Sequence, residues 1–222
     1  MTRSTVTDRP APDRSTSPPR IGVLGGTFDP IHIAHLAVAE EARDALGLER
    51  VLFVPAGRPP FKLDDPVTAV EHRVAMVAAA IADNPAFELS TIEVDRAGPS
   101  YTSDTLEALA RAFPGAVLFL IVSVETLAEL PSWHEPERLV AAARVAVAPR
   151  EGYAAPDPAW LAGAIPGREL RVDYLEGPRL ELSSTALRTR VAAGRSIRYL
   201  VPPPVEAYIQ EHELYRRRLP AT

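Results

Sequence analysis

Ile21-Gly22-Val23-Leu24-Gly25-Gly26-Thr27-Phe28-Asp29-Pro30-Ile31-His32-Ile33-Ala34-His35 is the stretch on which the reading of this chain turns. Ile21 to Leu24 is a short apolar run, the pattern of a strand buried on both faces. Gly25-Gly26 offers a sharp turn with backbone N–H groups and no side chains in the way. Asp29 and Pro30 rigidify the approach to a helix from about His32 to Leu46. That helix puts Leu36, Ala39, Ala42 and Leu46 on one face and stops at Gly47. A helix start following such a turn favours a phosphate, through its N–H groups and its dipole. His32 and His35 are three apart and share one side of the first helical turn. They continue the arc of Leu36 and Ala39, so they are expected to face the end of the sheet. Gly25, Gly26, Thr27 and Phe28 are the candidate phosphate-binding residues of the turn. His32 and His35 are its candidate catalytic residues.

Other accounts of this segment differ in what they require. A dinucleotide fingerprint needs G-x-G-x-x-G and a P-loop needs Gly-Lys-Ser/Thr, and neither is written here. Zinc needs further ligands, and His72, His134 and His212 are scattered along the chain. Two buried structural histidines with hydrogen-bond partners are the competing explanation.

Outward from this segment, strands and helices alternate. Val51–Val54 reads as a second strand, and the Gly- and Pro-rich segment from Ala56 to Val67 as a loop. Thr68-Ala69-Val70-Glu71 has the form of a capping box, opening a helix that carries Val70, Val74, Val77 and Ile81. Phe87 to Val94 reads as extended. Ser103 or Asp104 is the expected cap of a helix with Leu106, Leu109 and Phe113. Val117–Val122 is the strongest strand pattern, and Val145–Ala148 a further strand stopped by Pro149. A strand at Leu170–Val172 and helices over Ser184–Ala193 and Val205–His212 close the chain. This order predicts an α/β fold: a Rossmann-like, doubly wound parallel sheet with a small helical C-terminal subdomain. Ligands then bind beyond the carboxyl ends of the strands, where the strand order reverses.

The 222 residues, 46% of them hydrophobic, suit one domain with an ample core. Residues 1–20, rich in Arg, Pro, Ser and Thr and without an apolar stretch, read as a disordered tail and not as a secretory signal. Residues 21–222 form the domain, with about 183–222 as its helical C-terminal part. No apolar run approaches the roughly 20 residues of a membrane span. The absence of cysteine excludes disulfides and thiolate chemistry, and a cytoplasmic location is the expectation. A net charge of −5 argues against a general nucleic-acid binder. All but one of the 24 basic residues are arginine; the exception, Lys62, is either a compact ammonium kept for a phosphate or a surface lysine.

A second motif reads Leu182-Ser183-Ser184-Thr185-Ala186-Leu187-Arg188. Ser183 or Ser184 can cap the next helix, and Arg188, one turn in, can reach an anion near its N-terminus. An ordinary capped helix with a surface arginine explains the same residues.

At these two motifs the chain resembles the nucleotidyltransferase superfamily marked by H-x-G-H and a later S-S/T-x-x-R. More closely, it resembles the bacterial nicotinate mononucleotide adenylyltransferases. That resemblance runs from Ile21 to Tyr215. It includes Val54-Pro-Ala-Gly-Arg-Pro-Pro-Phe-Lys62, Glu71-His-Arg73, Gly98-Pro-Ser-Tyr-Thr-Ser-Asp-Thr-Leu106 and Leu130-Pro-Ser-Trp-His134. It implies joining of ATP and nicotinate mononucleotide into nicotinate adenine dinucleotide and pyrophosphate, a step of NAD synthesis. His32, His35 and Arg188 would be catalytic. Ser184, Thr185, Lys62, Ser123 and Glu125 would bind the nucleotide, and Tyr101, Thr102 and Trp133 the acceptor. Mg²⁺ would be held by phosphate oxygens and water. No nucleic-acid or membrane partner is implied, and homo-oligomerisation is left open.

Four positions depart from the family pattern. Ala34 stands where the family has Gly, and Ser123-Val124-Glu125 where it reads Gly-x-Asp; Phe61 also replaces a frequent His. Added bulk at Ala34 and Ser123 is expected to crowd the nucleotide, and the longer Glu125 to misplace a bond to ribose. A related enzyme with another phosphate acceptor, such as nicotinamide mononucleotide, and a nucleotide-binding protein with impaired turnover are the alternatives these departures raise.

Overall fold

In the computed structural model of the protein, the residues described are 17–58, 67–156, 163–165 and 171–216. Six parallel strands form one sheet: β1 (Arg20–Gly26), β2 (Arg50–Pro55), β3 (Phe87–Leu89), β4 (Val117–Ser123), β5 (Arg144–Ala148) and β6 (Val172–Tyr174). Their order is β3-β2-β1-β4-β5-β6. The helices are α1 (Ile33–Leu46), α2 (Val70–Ile81), α3 (Thr102–Ala112), α4 (Val124–Glu129), α5 (Pro136–Ala142), α6 (Ser184–Ala192) and α7 (Pro203–Glu211), with a 3₁₀ turn at Leu130–Ser132.

The central strands are apolar along their length because both faces are covered. Along β2, Val51 and Phe53 enter one core, while Leu52 and Val54 enter the other. Likewise Phe119 and Ile121 of β4 point to the first core, and Leu118, Leu120 and Val122 to the second. The first core is closed by Ala39 and Ala42 of α1, Met76 and Val77 of α2, Leu187 of α6, and Val205 and Ile209 of α7. The second is closed by Leu106 and Leu109 of α3, Leu127 of α4 and Leu139 of α5. Winding therefore changes face between β1 and β4, as expected. Gly22 allows the first core to approach β1: a Cβ there would lie 2.9 Å from Leu48 Cδ1 and 3.0 Å from Ile121 Cδ1.

Several local expectations are corrected. Arg20, assigned to the tail, is the first residue of β1; residues 1–16 lie outside the described residues. Thr68 does not cap α2, whose N-cap is Ala69. The Thr68 backbone is used in tertiary bonds instead: its N–H donates to Asp29 Oδ2 (3.2 Å), and its carbonyl accepts from Arg73 Nε (3.0 Å). Strand β3 stops at Leu89, since Thr91 and Asp95 close a turn through Thr91 Oγ1 to Asp95 Oδ2 at 2.7 Å. Helix α3 starts at Thr102 after Tyr101, with Ser103 buried inside it. Strand β6 begins at Val172, where a strand ending at that residue was expected. His72 and His212, far apart in sequence, meet with rings 5.1 Å apart beside Tyr208. Among the described residues, no three His, Cys, Asp or Glu side chains are placed to hold a metal. No helix there is long and apolar enough to cross a membrane.

Candidate active site

Beyond the carboxyl ends of β1, β4 and β5 lies a cavity of about 580 Å³. Gly25, Gly26, Thr27, His32, Ala34, His35, Tyr101, Thr102, Ser123, Trp133, Ser184, Thr185 and Arg188 all line it. Residues that the sequence scatters over more than 160 positions thus meet in one place. Lys62 and Phe61 lie outside the described residues.

The opening turn differs from its sequence reading. Gly25 and Gly26 are the last two residues of β1, paired with Val54 and Pro55 of β2. The reversal falls on Phe28, whose φ is +50°, followed by a cis Asp29-Pro30 bond. A bulky residue holds a left-handed conformation only where tertiary contacts over-determine it. Here the Phe28 ring is buried between His35, edge-on at 5.1 Å, and Phe53 at 6.1 Å. Phe28 therefore supports the site from below and does not line it. Gly25 faces open space, with nothing within 4 Å of the Cβ it lacks.

At the start of α1 the two imidazoles stack, 3.7 Å apart at 20°. His32 is the N-cap residue, and its N–H donates to His35 Nδ1 at 3.2 Å. That bond fixes the proton of a neutral His35 on Nε2, which is thereby a donor. The Ile33 and His35 amides are already engaged, by the carbonyls of Leu200 (3.1 Å) and His32 (3.0 Å). Two of the helix-start amides are thus satisfied within the protein, which narrows the donors that the helix start can offer a phosphate. His32 Nδ1 is buried without a hydrogen-bond partner.

Burial, then the positive charge of Arg150, lowers the pKa of His32 to about 4. Burial, then the neighbouring His32, holds His35 well below the ordinary histidine range. Both are neutral at pH 7 in the free protein. Since the folded value of His32 is depressed, the unfolded chain binds more protons between about pH 4 and 6.5. Stability from this source is present above that window and lost as the pH falls through it. A polyphosphate reverses the preference by favouring the charged imidazole. ATP binding near pH 6 is therefore expected to take up protons. Calorimetry in two buffers of different ionisation enthalpy checks this, and buffer-independent heats would contradict it.

The second motif docks onto the first. Ser183 caps α6, its Oγ accepting from the Ala186 N–H at 3.2 Å. Ser184 Oγ donates to the Pro30 carbonyl (2.8 Å), and Arg188 Nη1 to the Asp29 carbonyl (2.8 Å). Arg188 Nη2 also reaches Thr185 Oγ1 at 3.2 Å. Arginine and histidines are thus fixed to one short loop.

Residues to which the sequence reading gave no binding or catalytic role hold that loop. Buried Asp29 accepts from the Tyr215 hydroxyl at 2.6 Å and from Thr68 N–H. Arg73, 2% exposed, donates to the carbonyls of Thr27 (2.8 Å), Ala56 (2.7 Å) and Thr68 (3.0 Å). Its guanidinium satisfies the ends of β1, β2 and the approach to α2 together. Tyr215→Phe removes one bond to a buried carboxylate and is expected to cost about 1–3 kcal/mol. Urea unfolding measures it; an unchanged midpoint would mean the 2.6 Å contact contributes nothing.

Elsewhere along the cavity, Ser100 Oγ accepts from the N–H groups of Gly57 (3.0 Å) and Arg58 (3.1 Å), pinning the Tyr101-Thr102 turn to the loop after β2. The Tyr101 ring stacks on His134 at 4.0 Å. Trp133 lines the cavity and also packs against the second core. Buried Glu93, another lining residue, accepts from Thr105 Oγ1 at 2.7 Å, and burial pushes its pKa up.

Two of the departures, Ser123 and Glu125, have partners within the fold. Ser123 is the N-cap of α4: its Oγ accepts from Thr126 N–H at 3.2 Å and pairs with Thr126 Oγ1 at 2.9 Å. Glu125 does not line the cavity. It pairs with Arg150 and accepts from the Tyr153 hydroxyl at 2.8 Å, so its carboxylate is engaged by protein groups. Ala34 and Ser123 both lie on the cavity wall.

A doubly wound sheet carrying a histidine pair and a docked Ser-Ser-Thr-x-x-Arg helix at its switch point defines a nucleotidyltransferase of the cytidylyltransferase-like kind, and residues 23–190 match the Cytidylyltransferase-like family. The chain is 53% identical over 196 residues to a protein of Roseiflexus sp. (strain RS-1), covering 88% of this chain and 98% of that one. It is 48% identical over 196 residues to one of Herpetosiphon aurantiacus, with the same coverage. Both bear the name "Probable nicotinate-nucleotide adenylyltransferase". The fold matches that of Plasmodium falciparum nicotinic acid mononucleotide adenylyltransferase complexed with NaAD, with a TM-score of 0.73 at 20% identity, covering 89% of this chain and 97% of that one. The chain belongs to the nicotinate-nucleotide adenylyltransferase family.

Proposed function

We propose that this chain transfers the adenylyl group of ATP to nicotinate mononucleotide, giving nicotinate adenine dinucleotide and pyrophosphate for NAD synthesis. The observation that carries the reading is that the stacked His32–His35 pair, Arg188, Tyr101, Thr102 and Trp133 all line one cavity, with Arg188 docked on the loop that precedes the histidines.

A phosphate oxygen of the mononucleotide attacks the α-phosphorus of ATP in line. The new P–O bond forms as the bond to the β-phosphate bridging oxygen breaks, and the electron pair leaves with pyrophosphate. No protein nucleophile is needed, so the protein positions the reactants and stabilises charge. His35 Nε2–H and His32 meet the charge developing around the α-phosphate. Arg188, Ser184 and Thr185 hold the β- and γ-phosphates. Trp133 offers a flat apolar surface to the pyridine ring, and Tyr101 and Thr102 flank it. ATP enters as its Mg²⁺ complex. Among the described residues, Asp29 and Glu93 are the carboxylates lining the cavity, and both are committed to protein partners. The metal would then be held by phosphate oxygens and water.

The experiment that tests the acceptor is a side-by-side panel with the acid and amide mononucleotides, ATP and Mg²⁺, reading pyrophosphate release. Faster turnover with the acid is expected; equal or faster turnover with the amide would transfer the assignment to that acceptor.

A further inference from the structure

We propose that Arg150 is a phosphate-binding residue of the cavity, and that Glu125 and Tyr153 are positioning residues that aim it. The inference rests on the adenylyl-transfer reading for the identity of the ligand, and it enlarges the set of residues that grip the substrates.

Register brings these groups together. Ser123 at the end of β4 pairs with Ala148 at the end of β5. Two residues beyond each lie Glu125 and Arg150, which form an ion pair through Glu125 Oε2 and Arg150 Nη1. The other carboxylate oxygen accepts from the Tyr153 hydroxyl at 2.8 Å, and the guanidinium carbon lies 5.8 Å from the Tyr153 ring centroid. Carboxylate and ring thus hold the arginine from two directions. A guanidinium has five N–H donors, and this pair uses the Nη1 end. The side chain is 46% exposed and lines the cavity that His32 and His35 line.

The charge balance of the cavity gives Arg150 its task. Both imidazoles are neutral in the free protein, so they attract an approaching polyphosphate only weakly. Besides them, the cationic side chains on the cavity wall among the described residues are Arg150 and Arg188. Arg188 comes from α6 and already spends donors on Asp29 and Thr185. Arg150 approaches from β5, and its field reaches His32. An isolated exposed ion pair contributes little to stability. This pair lies instead at the ligand side of the strand ends, where a guanidinium fork matches phosphate oxygens. It also accounts for Glu125: the carboxylate that departs from the family pattern is bound to an arginine and not left free for substrate.

Calorimetry on the full chain, titrated separately with Mg²⁺-ATP and with nicotinate mononucleotide, tests the proposal without requiring turnover. Arg150→Ala should weaken one of the two by about tenfold, the loss of one charge-assisted contact. The ligand affected identifies whether Arg150 serves the polyphosphate or the acceptor phosphate. Arg150→Lys should recover part of the loss. Glu125→Gln and Tyr153→Phe should each weaken the same ligand severalfold, and neither should weaken it further once Arg150 is alanine. Affinities for both ligands within twofold of the parent in Arg150→Ala would overturn the binding role. Effects of Glu125→Gln that persist undiminished in the Arg150→Ala background would overturn the positioning role. Failure of the adenylyl-transfer reading shows differently, as a parent protein that binds both nucleotides and forms no dinucleotide.

Discussion

His35→Ala is expected to lower kcat by about 10²–10³, the loss found on removing one preorganised donor to developing charge. The size follows from how firmly this imidazole is placed. Phe28 meets its ring edge-on, His32 stacks on it, and the His32 N–H at 3.2 Å fixes its tautomer. A donor held this way needs no reorganisation when charge develops. KM for ATP should change less, because the Arg188 contacts to the Asp29 loop do not depend on His35. The same substitution uncovers one backbone N–H at the helix start, which costs roughly 1 kcal/mol of stability. Urea unfolding separates that small loss from the loss of rate. A folded His35→Ala protein with an unchanged kcat would remove His35 from the chemistry.

The largest expected effect on stability belongs to Arg73. Arg73→Met should cost about 3–5 kcal/mol, the range for removing a buried charged partner and stranding the groups it satisfied. Three carbonyls, those of Thr27, Ala56 and Thr68, lose their donor at once. All three sit in loops that carry the site, so ATP affinity should fall with stability. The midpoint of urea unfolding measures the first effect and calorimetric titration with ATP the second. An Arg73→Met variant as stable as the parent would mean that the methionine chain and water satisfy these loops equally well.

The parts of the fold that were legible are those fixed by local pattern. Ile21–Leu24, Val51–Val54 and Val117–Val122 read as buried strands because a parallel sheet covered on both faces needs continuous apolar runs, and β1, β2 and β4 contain them. The histidine pair and Arg188 were legible because their spacing places them at helix starts. What escaped is what depends on partners distant in sequence. The reversal was assigned to Gly25-Gly26, yet it occurs at Phe28, whose conformation is imposed by contacts with Phe53 and His35. Asp29 and Tyr215 are separated by 186 residues, and nothing local to either predicts their bond. Glu125 was read as a misplaced ribose ligand because the Ser123–Ala148 register, which delivers Arg150 to it, is not written in either segment alone. The box at Thr68–Glu71 had the right residue types for a cap, but Asp29 and Arg73 claim the Thr68 backbone first.

Supplying ATP labelled at the α-phosphorus, together with nicotinate mononucleotide and Mg²⁺, tests the central claim most directly. The label should appear in a dinucleotide formed in equal amount to the pyrophosphate released. Label that stays in ATP while both substrates bind, or that leaves only as free AMP, would contradict adenylyl transfer at this cavity.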